Sequence, residues 1–232
     1  MVVKDSLQAM QNLASFHRSQ FNLPVVAITG SNGKTIVKEW CHQMLQGDYD
    51  ICRSPKSFNS QLGVPLSVWR LNSKNTLAIF EAGISQKGEM SPLAQILSPQ
   101  GGLLTHFGEA HQEGFESMAQ KLQEKLLLFE GCDWVVARMD SNDSNRSVWK
   151  ETVLRNSETV FHWWTDDKDE DDWFRVLESE GVARKRLVLW KLVTKSVTEN
   201  GCTLCELQSE GQSTLRFEVA GRGDAVLENM TG

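Results

Sequence analysis

Short apolar runs alternate with amphipathic stretches through most of the chain. Val25, Val26 and Ile28 form the first run, and others lie at about Asp50–Cys52, Leu77–Glu81, Gly102–Thr105 and Trp134–Arg138. Each has the length of a buried strand. Between them, "GEMSPLAQIL" and "FESMAQKLQEKLLLF" repeat their apolar residues at helical spacing, and Asp5–Gln20 predicts a leading helix with Leu7, Met10, Leu13 and Ala14 on one side. Strands alternating with helices predict an α/β fold, a mainly parallel sheet with helices on both faces. The pattern changes after about Ser157: Trp163–Trp173 is acidic, and "KLVTKSVTENGCTLCELQSEGQSTLRFEVAG" reads as a hairpin and a further strand turning at Asn200-Gly201 and near Glu210-Gly211. A small antiparallel extension on the same domain is expected at about residues 185–221.

The turn after the first run carries the chemistry. In "VVAITGSNGKTIVKEW", Gly30 and Gly33 let the backbone curl, and Val37 and Trp40 begin a helical apolar stripe. Such a turn aims backbone N–H groups, the positive end of a helix dipole and an ammonium at one place, which suits phosphate. Gly30, Ser31, Asn32 and Gly33 would form the cradle, Lys34 would reach the β and γ phosphates, and the Thr35 hydroxyl would ligate Mg²⁺. Ile28 occupies the place of the first glycine in the general G-x-x-x-x-G-K-[ST] pattern, so the match is to the shorter T-G-S-N-G-K-T. A chance Gly-Lys-Thr in a surface loop rarely has both a strand before it and a helix after it.

Ligands of parallel sheets bind at the carboxyl ends of strands. Glu81 ends one strand, in "AIFEAGISQKGEM", and a carboxylate beside such a turn is a natural partner for Mg²⁺. His111, in "LLTHFGEAHQEGF", follows another strand; a lone histidine is more often structural, but this one falls at the ligand edge. Spacing alone leaves Lys125 unremarkable, a solvated lysine or a partner of Glu124 or Glu130.

Composition narrows the setting. The chain has 232 residues, 40% of them hydrophobic, enough for a real core, and a net charge of −6 that gives no footprint for nucleic acid. No run has the length of a membrane span and no signal peptide follows Met1, so a cytoplasmic protein is expected. The five scattered cysteines argue against a disulfide framework, and Cys202 and Cys205 read as strand residues rather than a zinc or redox pair. The acidic run could bind a cation, but a solvated surface is the favoured reading, and the paired tryptophans read as packing.

Four segments, "ITGSNGKT", "RSPKSFNSQLGVPLSVW", "IFEAGISQKGEM" and "GEAHQEGF", in this order, resemble the central ATP-binding domain of the Mur ligase family. The resemblance runs from about Val2 to Asn229 and is strongest between Pro24 and Glu130. Within the family it is closest to the branch that adds D-alanyl-D-alanine to UDP-N-acetylmuramoyl-tripeptide, and "SFNSQLGVPLSVW" and "LAIFEAGIS" are similar to the form that some bacteria fuse to an alanine racemase. The resemblance implies ATP and two Mg²⁺ ions. Lys34 and Thr35 would hold phosphate and metal, Glu81 would bind metal, and His111 would help hold the second ion. Lys125 falls where the family carries a lysine carbamylated by CO₂, and Asn229 is similar to an asparagine near the adenine. Two residues depart from the family pattern: Ile36 replaces a second Ser or Thr after Gly-Lys-Thr, and His106 replaces a common asparagine.

The resemblance also implies a division of the chain. Residues 1–23 would be a linker helix entering the central domain and 24–232 the central domain itself, without the amino-terminal UDP-sugar domain or the carboxy-terminal domain. The implied activity is carboxylate activation through an acyl phosphate in peptidoglycan synthesis, with UDP-MurNAc-tripeptide and D-Ala-D-Ala as partners of the full enzyme. The chain itself would be monomeric, inserted in no membrane and inactive alone. A folylpolyglutamate synthase-like ligase and a non-catalytic nucleotide-binding module are the alternatives; "NSQLGVPLSVW" and "EAHQEGF" favour the peptidoglycan branch.

Overall fold

Nine strands form one sheet in the computed structural model, which describes residues 2–108, 112–138, 143–165, 171–197, 202–209 and 212–220. They are β1 (Val25–Thr29), β2 (Ile51–Arg53), β3 (Leu77–Glu81), β4 (Gly101–Leu104), β5 (Trp134–Arg138), β6 (Val160–Thr165), β7 (Leu187–Val197), β8 (Cys202–Gln208) and β9 (Leu215–Ala220). Their order is β2-β3-β1-β4-β5-β6-β7-β8-β9. All pairs from β2 to β7 are parallel, and β7-β8 and β8-β9 are antiparallel. The α/β fold and its antiparallel extension are therefore as the sequence predicts.

Among the described residues seven α-helices accompany the strands: α1 (Ser6–Ser19), α2 (Lys34–Leu45), α3 (Gly63–Val68), α4 (Met90–Leu97), α5 (Met118–Leu126), α6 (Asp143–Arg155) and α7 (Asp171–Ser179). Helix α2 covers one face, where Val37, Cys41 and Leu45 pack on Ile28, Leu77 and Ile79. The other helices bury Ala14, Val64, Leu93, Leu122, Trp149 and Leu177 in a larger core on the opposite face. Both arrangements follow from the period-two alternation of strand side chains, which sends Ile28 and Ala27 to opposite sides. None of the described helices is long and apolar enough to cross a membrane.

Two expectations need correction. The parallel alternation does not stop near Ser157; it continues through β6, α7 and β7. In β6 the side chains alternate between buried and half-buried, and Trp163 packs edge-on against Trp149 at 4.4 Å between ring centroids, so it is core. The acidic residues that disguise this strand fall mainly in 166–170, outside the described residues. Helix α1, in turn, does not bury Leu7 and Leu13, which are exposed; its inward face is Gln11, Ala14 and Arg18. Arg18 donates to the carbonyls of Leu97 (3.2 Å), Phe21 (2.8 Å) and Leu23 (3.3 Å), joining α1 to the end of α4 and to the approach to β1. Five planar donors let an arginine satisfy such a cluster of carbonyls.

The sheet order places the site. From β1 the chain crosses to one side, through β2 and β3, and then to the other, at β4. The crevice where direction reverses opens at the carboxyl ends of β1 and β4.

Candidate functional site

The turn from β1 into α2 fills that crevice. Gly30 has φ +148°, and a Cβ on it would meet Thr105 Oγ1 at 2.0 Å. Gly33 has φ +85° and stands at the N-cap of α2 without a side-chain cap. Both positions require glycine for conformation, the first also for space. The exit of β4 braces the turn: Thr105 Oγ1 donates to the Asn32 carbonyl at 2.6 Å, the Ser31 N–H donates to the His106 carbonyl at 2.8 Å, and Ser31 Oγ bonds the Gly108 backbone. A braced turn with an uncapped helix N-terminus is a preorganised anion site.

Lys34 curls back over this turn, its Nζ donating to Gly30 O at 2.8 Å and Ser31 O at 3.3 Å. Burial lowers its ammonium below the usual lysine range; Glu81 opposes this and Lys121 adds to it. The Thr35 hydroxyl donates to Glu81 Oε2 at 3.0 Å, so these two residues, 46 positions apart in sequence, meet as one polar pair. Glu81 is wholly buried at the end of β3. Asn59 Nδ2 reaches the same Oε2 at 3.3 Å, and Lys38 Nζ lies 3.0 Å from Oε1.

Lys125 approaches from the other face of the sheet. It is 2% exposed, and its Nζ donates to Gly30 O at 3.2 Å, beneath the same turn that Lys34 covers. Burial pushes its pKa down to about 7, with the charges of Lys34 and Lys121 adding to the effect. Neither Glu124 nor Glu130 explains this placement. Glu124 accepts from the Gly88 and Met90 N–H groups, and Glu130 pairs with Arg155. Lys121, also buried, donates to the Gly108 carbonyl and lies over the Phe107 ring. Lys34, Lys121 and Lys125 thus concentrate positive charge around one backbone turn.

Gly30, Lys34 and Lys125 share with Asn59, Ser60 and Gly83 the lining of a cleft of about 400 Å³. The structure therefore brings Gly30, Lys34 and Lys125 to one opening, and joins Thr35 to Glu81, whose carboxylate also meets the cleft residue Asn59. His111 and Asn229 lie outside the described residues. Ile36 is exposed on α2, and His106 serves the turn through its carbonyl, so neither departure disrupts the arrangement.

Sequence reasoning missed Lys38, Asn59 and Thr105. Lys38 had a signal: it follows Lys34 by one helical turn on the stripe of Val37, Cys41 and Leu45, where a charge is out of place.

Among the described residues, no three His, Cys, Asp or Glu side chains form a metal cluster. A divalent cation nevertheless fits the Thr35–Glu81 pair, because Glu81 Oε2 and the Thr35 hydroxyl are two hard oxygen donors 3.0 Å apart. The described free cysteines are unsuited to redox work, since burial raises Cys41 and Cys52 to about 11 and Cys132 to about 12. Cys202 and Cys205 lie in β8, as expected.

Residues 28–222 match the Mur ligase middle domain. The chain is 32% identical over 131 residues to the UDP-N-acetylmuramoyl-tripeptide--D-alanyl-D-alanine ligase of Bacillus subtilis, covering 56% of this chain and 29% of that enzyme. Its identity to the same enzyme of Rickettsia prowazekii is 35% over 167 residues, covering 70% and 37%. The fold is similar to crystal structure I of MurF from Acinetobacter baumannii, with a TM-score of 0.77 at 20% identity over 100% of this chain and 46% of that one. The chain spans under half the length of each of these relatives.

Proposed function

The chain belongs to the Mur ligase middle-domain family, a family of ATP-dependent amide ligases, and on that premise we propose that it is the ATP-binding part of an enzyme that joins D-Ala-D-Ala to UDP-MurNAc-tripeptide. The observation that carries this reading is the convergence of Lys34, the Thr35–Glu81 pair and Lys125 on the Gly30–Gly33 turn. The identity to tripeptide–D-Ala-D-Ala ligases favours this branch over folylpolyglutamate synthesis.

A carboxylate is a poor electrophile, and transferring the γ-phosphoryl group of ATP to it gives an acyl phosphate that an amine displaces. Such transfer depends on positioning and on neutralising charge. The glycine turn and the N-terminus of α2 orient the phosphates, and Lys34 exchanges its carbonyl contacts for them. Thr35 and Glu81 would hold Mg²⁺, which when bound offsets charge on the phosphoryl oxygens. An amine with a pKa of about 7 is about half unprotonated near neutral pH, and that fraction can add CO₂. The carbamate of Lys125, with His111, would supply the ligands for a second ion, and Asn229 would lie near the adenine.

Calorimetric titration with Mg·ATP tests the reading. The wild-type chain is expected to bind, and Lys34→Ala to lose roughly 1.5–3 kcal/mol, the range for a hydrogen bond to a charged group. Equal affinities would overturn the phosphate assignment.

A further inference from the structure

We propose that Lys38 is a positioning residue for Glu81, fixing the orientation in which that carboxylate meets Thr35; this rests on the reading of Thr35 and Glu81 as the metal pair. Lys38 is completely buried, which is rare for lysine. It lies on the inward stripe of α2, where an apolar side chain of similar size would pack without desolvating a charge. Packing of α2 alone therefore gives no reason for a cation here.

What the ammonium touches does give one. Its Nζ lies 3.0 Å from Glu81 Oε1, donates to the carbonyls of Ser54 at 2.8 Å and Lys56 at 2.5 Å, and pairs with Glu39 at 3.1 Å. Lys56 has φ +51°, a left-handed conformation that a non-glycine residue adopts only when its surroundings impose it. Three residues on, Asn59 donates to Glu81 Oε2 and lines the cleft. Lys38 thus joins the phosphate helix, the turn at residues 54–56 and the end of β3.

A glutamate carboxylate turns easily about its last torsion, because that torsional well is broad. Lys38 fixes the plane of the group. With Oε1 against the ammonium, Oε2 is left to Thr35 and Asn59, on the side facing the phosphate turn. Without Lys38 both the carboxylate and the turn carrying Asn59 lose their anchor, so metal affinity falls.

The test measures Mn²⁺ binding to the 232-residue chain by electron paramagnetic resonance with the ATP analogue AMPPNP, and AMPPNP binding without metal by calorimetry. The variants are Lys38→Met, Lys38→Arg and Glu81→Gln, each checked by thermal melting, with Lys38→Gln replacing Lys38→Met should the latter not fold. The neutral variant is expected to weaken Mn²⁺ about 10- to 100-fold, to leave metal-free AMPPNP binding unchanged, and to be partly rescued by Lys38→Arg. Wild-type Mn²⁺ affinity in the neutral variant, with loss in Glu81→Gln, would overturn the role of Lys38 and leave the metal pair standing. Wild-type affinity in Glu81→Gln would remove the metal pair and this inference with it. Parallel loss of Mn²⁺ and metal-free AMPPNP binding would reduce Lys38 to a packing residue.

Discussion

At the scale of single residues, Lys125 shows how far environment departs from spacing. Its place in the sequence gives an ordinary helical lysine; its place in the fold is a buried amine under Gly30 with a pKa of about 7. A lysine whose folded pKa is depressed binds its proton less readily folded than unfolded. Stability contributed by this group therefore rises with pH from about 7 toward the unfolded value near 10.4, and the penalty is fully present below 7. Lys125→Met removes the penalty. The thermal midpoint of the variant should exceed that of wild type most at pH 6, and the gap should narrow as pH approaches 10. A constant gap would mean that Lys125 is not held near neutrality. The glycine turn, Lys34, Thr35 and Glu81 were legible because a local motif and a strand end mark them. Asn59 was not, and Lys38 was marked only as a charge on the apolar stripe of α2, because their contacts to Glu81 join segments that no spacing rule connects.

Elements succeed or fail as readings according to which face is informative. Strands β3 and β5 were legible to the residue because short apolar runs bounded by turns have few alternatives. Helix α1 was misread because Leu7 and Leu13 are on the outside and Gln11 and Arg18 share its inward face with Ala14. Strand β6 was hidden by the acidic residues that follow it. A further element-level device is Glu124, on the same helix as Lys125, which accepts from the Gly88 and Met90 N–H groups at 2.8 and 3.1 Å. It satisfies donors at the start of α4 and ties the "ISQKGEM" loop to α5. Glu124→Ala leaves the buried Met90 N–H unpaired and is expected to cost about 1–3 kcal/mol. Glu124→Gln keeps a carbonyl acceptor and should cost less. Thermal melting of both variants checks this, and equal midpoints for Ala and wild type would show that the loop holds itself.

At the scale of the molecule, the sheet order sets what this chain can do alone. The Gly30–Gly33 turn, the Thr35–Glu81 pair and Lys125 all meet near the reversal between β1 and β4, so the proposed phosphate site is drawn from a single sheet and its helices. A carboxylate acceptor and an incoming amine must also be held against it, at reacting distance and in line, and such alignment is worth several orders of magnitude in rate. The chain offers a cleft of about 400 Å³ for this and spans 46% of the A. baumannii MurF chain. Binding of Mg·ATP and formation of product are therefore expected to separate. Given ATP, Mg²⁺, UDP-MurNAc-tripeptide and D-Ala-D-Ala, the 232-residue chain should bind nucleotide yet form no UDP-muramoyl-pentapeptide at ordinary enzyme rates, about 1 per second or more. Chromatographic assay of the pentapeptide product checks this. Turnover at that rate would show that this one sheet and its helices already hold both substrates.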